Sequence, residues 1–96
     1  MKSGAVYIMV NRKNGAIYTG SSSKLVQRIY QHREGLIDGF TKTHDCKQLV
    51  WFEAQEDLQE ARRRELQIKR WTRSWKVRMI EETNPDWRDL WFEIQG

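Results

Sequence analysis

The stretch that most constrains this chain is Ala5 to Gly20, AVYIMVNRKNGAIYTG, two apolar runs around a short polar turn. Val6-Tyr7-Ile8-Met9-Val10 is rich in the β-branched and aromatic residues that suit a pleated surface, and Ala16-Ile17-Tyr18-Thr19 repeats the pattern at shorter length. The intervening Asn11 to Gly15 ends in Asn-Gly, a dipeptide that accepts the positive φ of tight hairpin turns. The stretch predicts a β-hairpin. Closing it with Val10 near Gly15 sets Tyr7 opposite Tyr18, and opposed residues on antiparallel strands share one face. Taken alone, two phenols on one surface read as an aromatic packing pair.

Ninety-six residues suffice for one domain with one modest core. Hydrophobic residues at 39% and five tryptophans favour a folded chain over a disordered one. No apolar run approaches the roughly 20 residues that cross a bilayer, so neither a membrane span nor a signal peptide is expected, and a cytoplasmic location follows. The lone Cys46 has no partner for a disulfide, and no His/Cys spacing matches a zinc site. Net charge is +4, and a positive surface attracts polyanions, foremost nucleic acid. The charge is concentrated between Arg62 and Arg78, where Arg62, Arg63, Arg64, Lys69, Arg70, Arg73, Lys76 and Arg78 face a single acid, Glu65.

Ser21-Ser22-Ser23 predicts a helix N-terminus, and a helix should run from about Lys24 to Arg33 with Leu25, Ile29, His32 and Leu36 on its apolar stripe. Gly35 is the expected stop, and Asp38 to Lys47 reads as a loop. Leu49-Val50-Trp51-Phe52 is a third strand covered on both faces. Helical spacing resumes from Glu56 to about Trp71, with Leu58, Ala61, Ile68 and Trp71 on one face. A second helix around Trp75 to Ile80 follows a break near Thr72 to Ser74. Asn84-Pro85 reads as a fresh helix start, with Asn84 as N-cap and Trp87, Leu90, Trp91 and Phe92 packing back. The expected class is α+β, an α/β sandwich built on a small three-stranded antiparallel sheet flanked by helices.

Glu65 lies on the inward stripe of its helix, where an unpaired carboxylate is costly; a metal ion, a buried arginine or an i,i+4 pair with Lys69 would each compensate. Arg28 and His32, four apart, stack on one helix face, and the stripe aims His32 inward. Phosphodiester hydrolysis requires a base to activate water, a cation for developing charge and a divalent metal held by a carboxylate. Two tyrosines, an arginine, a histidine and a glutamate supply those types.

In order and spacing these residues resemble the GIY-YIG nuclease family, specifically its small single-domain bacterial members. The family's two triplets read here as Ala5-Val6-Tyr7 and Tyr18-Thr19-Gly20, with the tyrosines eleven apart. Its arginine, ten residues after the second tyrosine, matches Arg28, and a histidine one turn later matches His32. Its metal-binding glutamate, preceded by alanine four positions earlier, matches Glu65 and Ala61. Ala5 and Thr19 depart from the motif at scaffold positions. Asn84 is the candidate for the family's late active-site asparagine, and is equally explained as a helix cap.

The resemblance spans nearly the whole chain and implies one domain over residues 1–96, a metal-dependent endonuclease acting on DNA in repair, recombination or processing. Glu65 would bind Mg²⁺ or Mn²⁺ and Tyr7 would accept the proton of the attacking water, directly or through the metal shell, with Arg28 and the metal favouring its phenolate. Tyr18 would orient water or phosphate and His32 assist proton transfer. Lys24, Lys42, Arg62, Lys69, Arg73 and Lys76 are the candidate contacts to the nucleic-acid backbone, branched or flapped DNA and RNA included. The alternative is a non-catalytic nucleic-acid-binding module on the same scaffold. The basic helix faces, with Trp71 and Trp75 interleaved, could also hold the nucleic-acid backbone, although both tryptophans are expected in the core.

Overall fold

The computed structural model describes residues 3–95. Its sheet is three-stranded and antiparallel, with β1 (Gly4–Val10) between β2 (Ile17–Ser22) and β3 (Gln48–Gln55). The helices are α1 (Leu25–Arg33), α2 (Phe40–Thr43), α3 (Leu58–Lys69), α4 (Arg73–Thr83) and α5 (Trp91–Ile94). This is the α+β arrangement that the pattern predicts. No helix among the described residues is long and apolar enough to cross a membrane.

Every residue of β1 is buried, because helices cover both faces of the central strand. The strand's period of two sorts its side chains into two cores. Val6, Ile8 and Val10 pack with Ala61 and Ile68 of α3 and with Met79 and Ile80 of α4. Tyr7 and Met9 turn to the opposite face and meet Ile29 of α1, Cys46, Leu49 and Trp91. Each fully buried aliphatic side chain contributes roughly 1.5–3 kcal/mol.

The hairpin forms, but its register differs from the expected one by two residues. Val10 pairs with Ile17, and Tyr7 lies opposite Gly20 rather than Tyr18. The loop is six residues long because Asn11 closes it, its side-chain oxygen accepting from the Ala16 amide at 2.9 Å. The Gly15 amide bonds the Arg12 carbonyl, and Asn14 rather than Gly15 takes the positive φ, 60°. Gly15 serves instead by its lack of a Cβ, which would collide with the Asn11 side chain. A two-residue shift preserves facing, so Tyr7 and Tyr18 are diagonal neighbours on one surface.

Several boundaries move for tertiary reasons. Ser21 and Ser22 belong to β2, and the residue before α1 is Lys24, whose amide bonds the Ser22 hydroxyl. Helix α1 ends at Arg33, with Gly35 the stop just beyond it at a φ of 68° as expected, but Leu36 is exposed. The expected loop from Asp38 contains α2, and Thr41 of that helix is buried. Phe52 is 40% exposed, so β3 is not covered on both faces along the whole run. A bulge between Ile8 and Met9 leaves Val50 as the extra residue, so Val50 and Trp51 enter the same core.

The edge of β3 is covered by the chain's last third. Leu90 donates its amide to the Leu49 carbonyl, and the Asn84 amide donates to Val50 at 3.1 Å. Asn84 is the C-cap of α4 rather than the N-cap of a new helix. Trp87 and Trp91 pack inward, whereas Phe92 is exposed. Trp75 is exposed as well and is not the core residue expected, whereas Trp71 is half-buried and packs against the core.

Candidate active site

Tyr7 from the central strand, Tyr18 from β2, His32 from α1 and Thr41 from α2 converge on the α1 face of the sheet. The Tyr7 hydroxyl lies 2.7 Å from His32 Nε2, and His32 Nδ1 lies 2.9 Å from the Thr41 hydroxyl. The three rings sit together, with Tyr7 and Tyr18 centroids 6.3 Å apart and each 5.5–5.6 Å from His32. The room for this cluster comes from Gly20. A Cβ there would fall 2.5 Å from the Tyr7 hydroxyl oxygen, so only glycine lets the phenol lie across β2.

Burial sets the protonation of the pair. His32 is 2% exposed, and desolvation, with the Arg28 charge added, lowers its pKa to about 4. The imidazole is therefore neutral at pH 7, with one nitrogen donating and the other accepting. Desolvation also raises the Tyr7 pKa, with Tyr18 and Glu65 pushing the same way; Arg28 opposes them and is outweighed. The protein surroundings thus hold Tyr7 as a neutral phenol, with Arg28 alone outweighed. Burial of the anion costs more than a single nearby guanidinium returns.

Arg28 is half-buried and has no ion-pair partner among the described residues. With Ser22, Ser23, Lys24, Gln27 and Gln31 it lines a polar cleft of about 180 Å³. A free guanidinium in a cleft of hydroxyls and amides is suited to a phosphate.

Glu65 occupies the flank of α3, its side chain 17% exposed. One oxygen accepts from the Ser21 hydroxyl, and the other pairs with Lys69 at 2.5 Å. Ser21 pairs with Val6, so this carboxylate stands on the α3 face, away from the tyrosines. The two sides meet around the free edge of β2. The Lys69 ammonium lies 5.7 Å from the Tyr18 ring centroid, and the Glu65 charge is felt at Tyr7.

Among the described residues no three His, Cys, Asp or Glu side chains group as metal ligands. A single carboxylate beside a serine hydroxyl still fits a hard ion such as Mg²⁺, which keeps most of its waters. Glu65 and Ser21 would hold it, once Lys69 has swung aside.

Asn84 is not brought to this cluster. It is 1% exposed, donates to the Val50 and Arg88 carbonyls, and accepts from the Arg88 amide. Its amide group is fully engaged in bracing β3. Among the candidate backbone contacts, Lys24 lines the Arg28 cleft and Lys69 neutralises Glu65. Arg73 donates to the Gly15 carbonyl, Lys42 pairs with Asp38, Arg62 is exposed and Lys76 is half-exposed. Sequence reasoning missed Thr41 and Ser21. Thr41 carried no signal in a segment read as loop, whereas Ser21 could have been found by extending β2 until it faced Glu65.

The fold defines a small α+β domain with this cluster on one face of its sheet. Residues 3–78 match the family model described as GIY-YIG catalytic domain, and the chain belongs to the GIY-YIG family, a nuclease family. Within it, the chain is similar to the UPF0213 protein of Staphylococcus aureus strain Mu3, 38% identical over 82 residues that cover 85% of this chain and 99% of the relative. The UPF0213 protein SAV0488 of strain Mu50 matches to the same extent. The solution NMR structure of the UPF0213 protein BH0048 from Bacillus halodurans aligns with a TM-score of 0.55 and 27% identity, covering 90% of each chain.

Proposed function

We propose that this chain is a metal-dependent endonuclease that hydrolyses phosphodiester bonds in DNA, with residues 3–78 as the catalytic unit. The observation that carries the reading is the hydrogen-bonded series Tyr7–His32–Thr41 beside an unpaired Arg28 and, around the β2 edge, Glu65.

Tyr7 is assigned as the base for the attacking water, with Arg28 and the bound metal together favouring its phenolate and His32, 2.7 Å away, assisting proton transfer. His32, neutral with its Nδ1–H donated to Thr41, has the acceptor nitrogen turned to Tyr7. Arg28 receives the phosphate and balances charge as it develops on the phosphoryl oxygens. Tyr18, beside both rings, orients the water or the phosphate. Mg²⁺ or Mn²⁺ held by Glu65 and Ser21 would supply Lewis-acid stabilisation and a more acidic water. Lys24, Lys42, Arg62, Lys69, Arg73 and Lys76 are assigned to the DNA backbone. Asn84 is assigned a structural role.

Incubation of the protein with duplex, single-stranded, flap and branched DNA tests this reading, each with Mg²⁺, with Mn²⁺ or with chelator. Metal-dependent cuts in at least one substrate are expected. Absence of cuts in all four under both Mg²⁺ and Mn²⁺ would refute it.

One feature favours a second reading, a binding module without turnover: the Glu65–Lys69 ion pair already neutralises the carboxylate a metal would need. Salt-sensitive DNA binding that is indifferent to Mg²⁺ would select that reading.

A further inference from the structure

Away from the tyrosine cluster, α3 and α4 enclose a groove of about 240 Å³ lined by Arg64, Trp71, Trp75, Arg78, Met79 and Glu82. Trp71 packs against the core and forms a fixed wall. Trp75 meets it edge-on at 5.9 Å and 75°, and is 58% exposed. The Trp75 amide bonds the Thr72 hydroxyl that caps α4, which fixes the base of the side chain. Arg64 lies over the Trp71 ring at 5.3 Å, held by Glu53 at 3.0 Å and Gln67 at 2.7 Å. Arg62, Arg70, Lys76 and Arg78 have no ion-pair partner among the described residues.

We infer that this groove binds an unpaired base of a DNA strand, stacked on Trp75, with a flanking phosphate on Arg78. The inference rests on the nucleic-acid reading above and specifies a strand that the site engages. An exposed indole beside an unpaired arginine offers a stacking face that any base can use, and Arg78 attracts the backbone. Glu82 decides which part of the strand enters. Its carboxylate repels a phosphate or an acidic peptide, but accepts a hydrogen bond from a base N–H. A paired base has its faces and its pairing edge already occupied, so only an unpaired base presents both.

The test is binding of a labelled single-stranded DNA oligonucleotide to the full chain at low salt without metal. Wild type is compared with Trp75→Ala and Trp75→Phe; a blunt duplex, the same strand as RNA and an acidic peptide serve as competitors. Indole fluorescence should be quenched by the single strand. Trp75→Ala should weaken single-strand binding roughly tenfold or more while leaving duplex binding nearly unchanged, and Trp75→Phe should retain most of the affinity. Equal losses for strand and duplex, no loss at all, tighter binding of RNA, or competition by the acidic peptide would overturn the assignment. Because binding is read without metal, the two proposals fail separately. Cleavage that persists with single-strand affinity indifferent to Trp75 removes only the groove, and Trp75-dependent binding by a protein that cuts nothing removes only the hydrolase.

Discussion

Gly20 and Tyr7 are built for each other: the phenol of Tyr7 crosses the backbone of β2 at the one residue without a Cβ, and a methyl group there would stand 2.5 Å from its hydroxyl oxygen. Gly20→Ala is expected to push the phenol off His32 and to cost about 1–3 kcal/mol of stability through overpacking. Urea unfolding gives the stability change, and the His32 imidazole nitrogen resonances should move with it. An unchanged spectrum would show that Tyr7 does not need this space.

His32 makes stability depend on pH with a definite sign. Its folded pKa of about 4 lies below the ordinary 6.5, so between those values the unfolded chain binds the extra proton. Stability should therefore fall as pH drops from 6.5 towards 4 and level off below. The shift corresponds to about 3 kcal/mol. Urea unfolding of wild type against His32→Gln across that window isolates the histidine, because the variant should lose this part of the slope.

Thr41 holds the other imidazole nitrogen. Thr41→Val leaves a buried polar atom without a partner and is expected to destabilise by roughly 1–3 kcal/mol, while Thr41→Ser restores most of the loss. If Thr41 positions His32, nitrogen NMR should also report a changed tautomer balance in Thr41→Val. A stability loss with the tautomer unaltered would confine Thr41 to packing.

Lys69 and a divalent cation compete for Glu65. Lys69→Met should increase Mn²⁺ affinity, seen as paramagnetic broadening around Ser21 and Glu65 at lower metal concentration than in wild type. Stability should fall by roughly 1–3 kcal/mol in the absence of metal, because Glu65, 17% exposed, keeps only the Ser21 hydroxyl. Broadening centred elsewhere would contradict the assignment of the metal to Glu65.

Asn84 separates a structural asparagine from a reactive one. Asn84→Ala removes bonds to Val50 and Arg88 and should cost on the order of 2–3 kcal/mol. Once folded under stabilising conditions it should cut at nearly the wild-type rate. A large rate loss in a fully folded variant would assign it to the chemistry instead.

What was legible in the sequence was local. The alternation in Val6 to Val10, the run from Leu49 and the stripe of Ala61 and Ile68 were enough to place three strands and the helices around them. Facing survived even where register did not, because the turn error at Asn11 to Gly15 was two residues, one full period of a strand. The ring cluster was legible only in part. Tyr7, Tyr18 and His32 could be aimed from periodicity, but Thr41 reaches His32 through a segment with no regular pattern. The protonation of Tyr7 was not legible at all, since it depends on how much water is excluded rather than on which residues are near. Asn84 misled because a residue type that caps helices also braces a bulged strand, and only tertiary contact distinguishes the two.

The central claim is that Tyr7 and Glu65 serve one hydrolytic centre, and the direct measurement is the initial rate of Mg²⁺-dependent DNA cleavage by wild type, Tyr7→Phe and Glu65→Ala. Both variants should fold and bind DNA as wild type does, and each should lose about a hundredfold or more in rate. Cleavage by either variant at the wild-type rate would contradict the account.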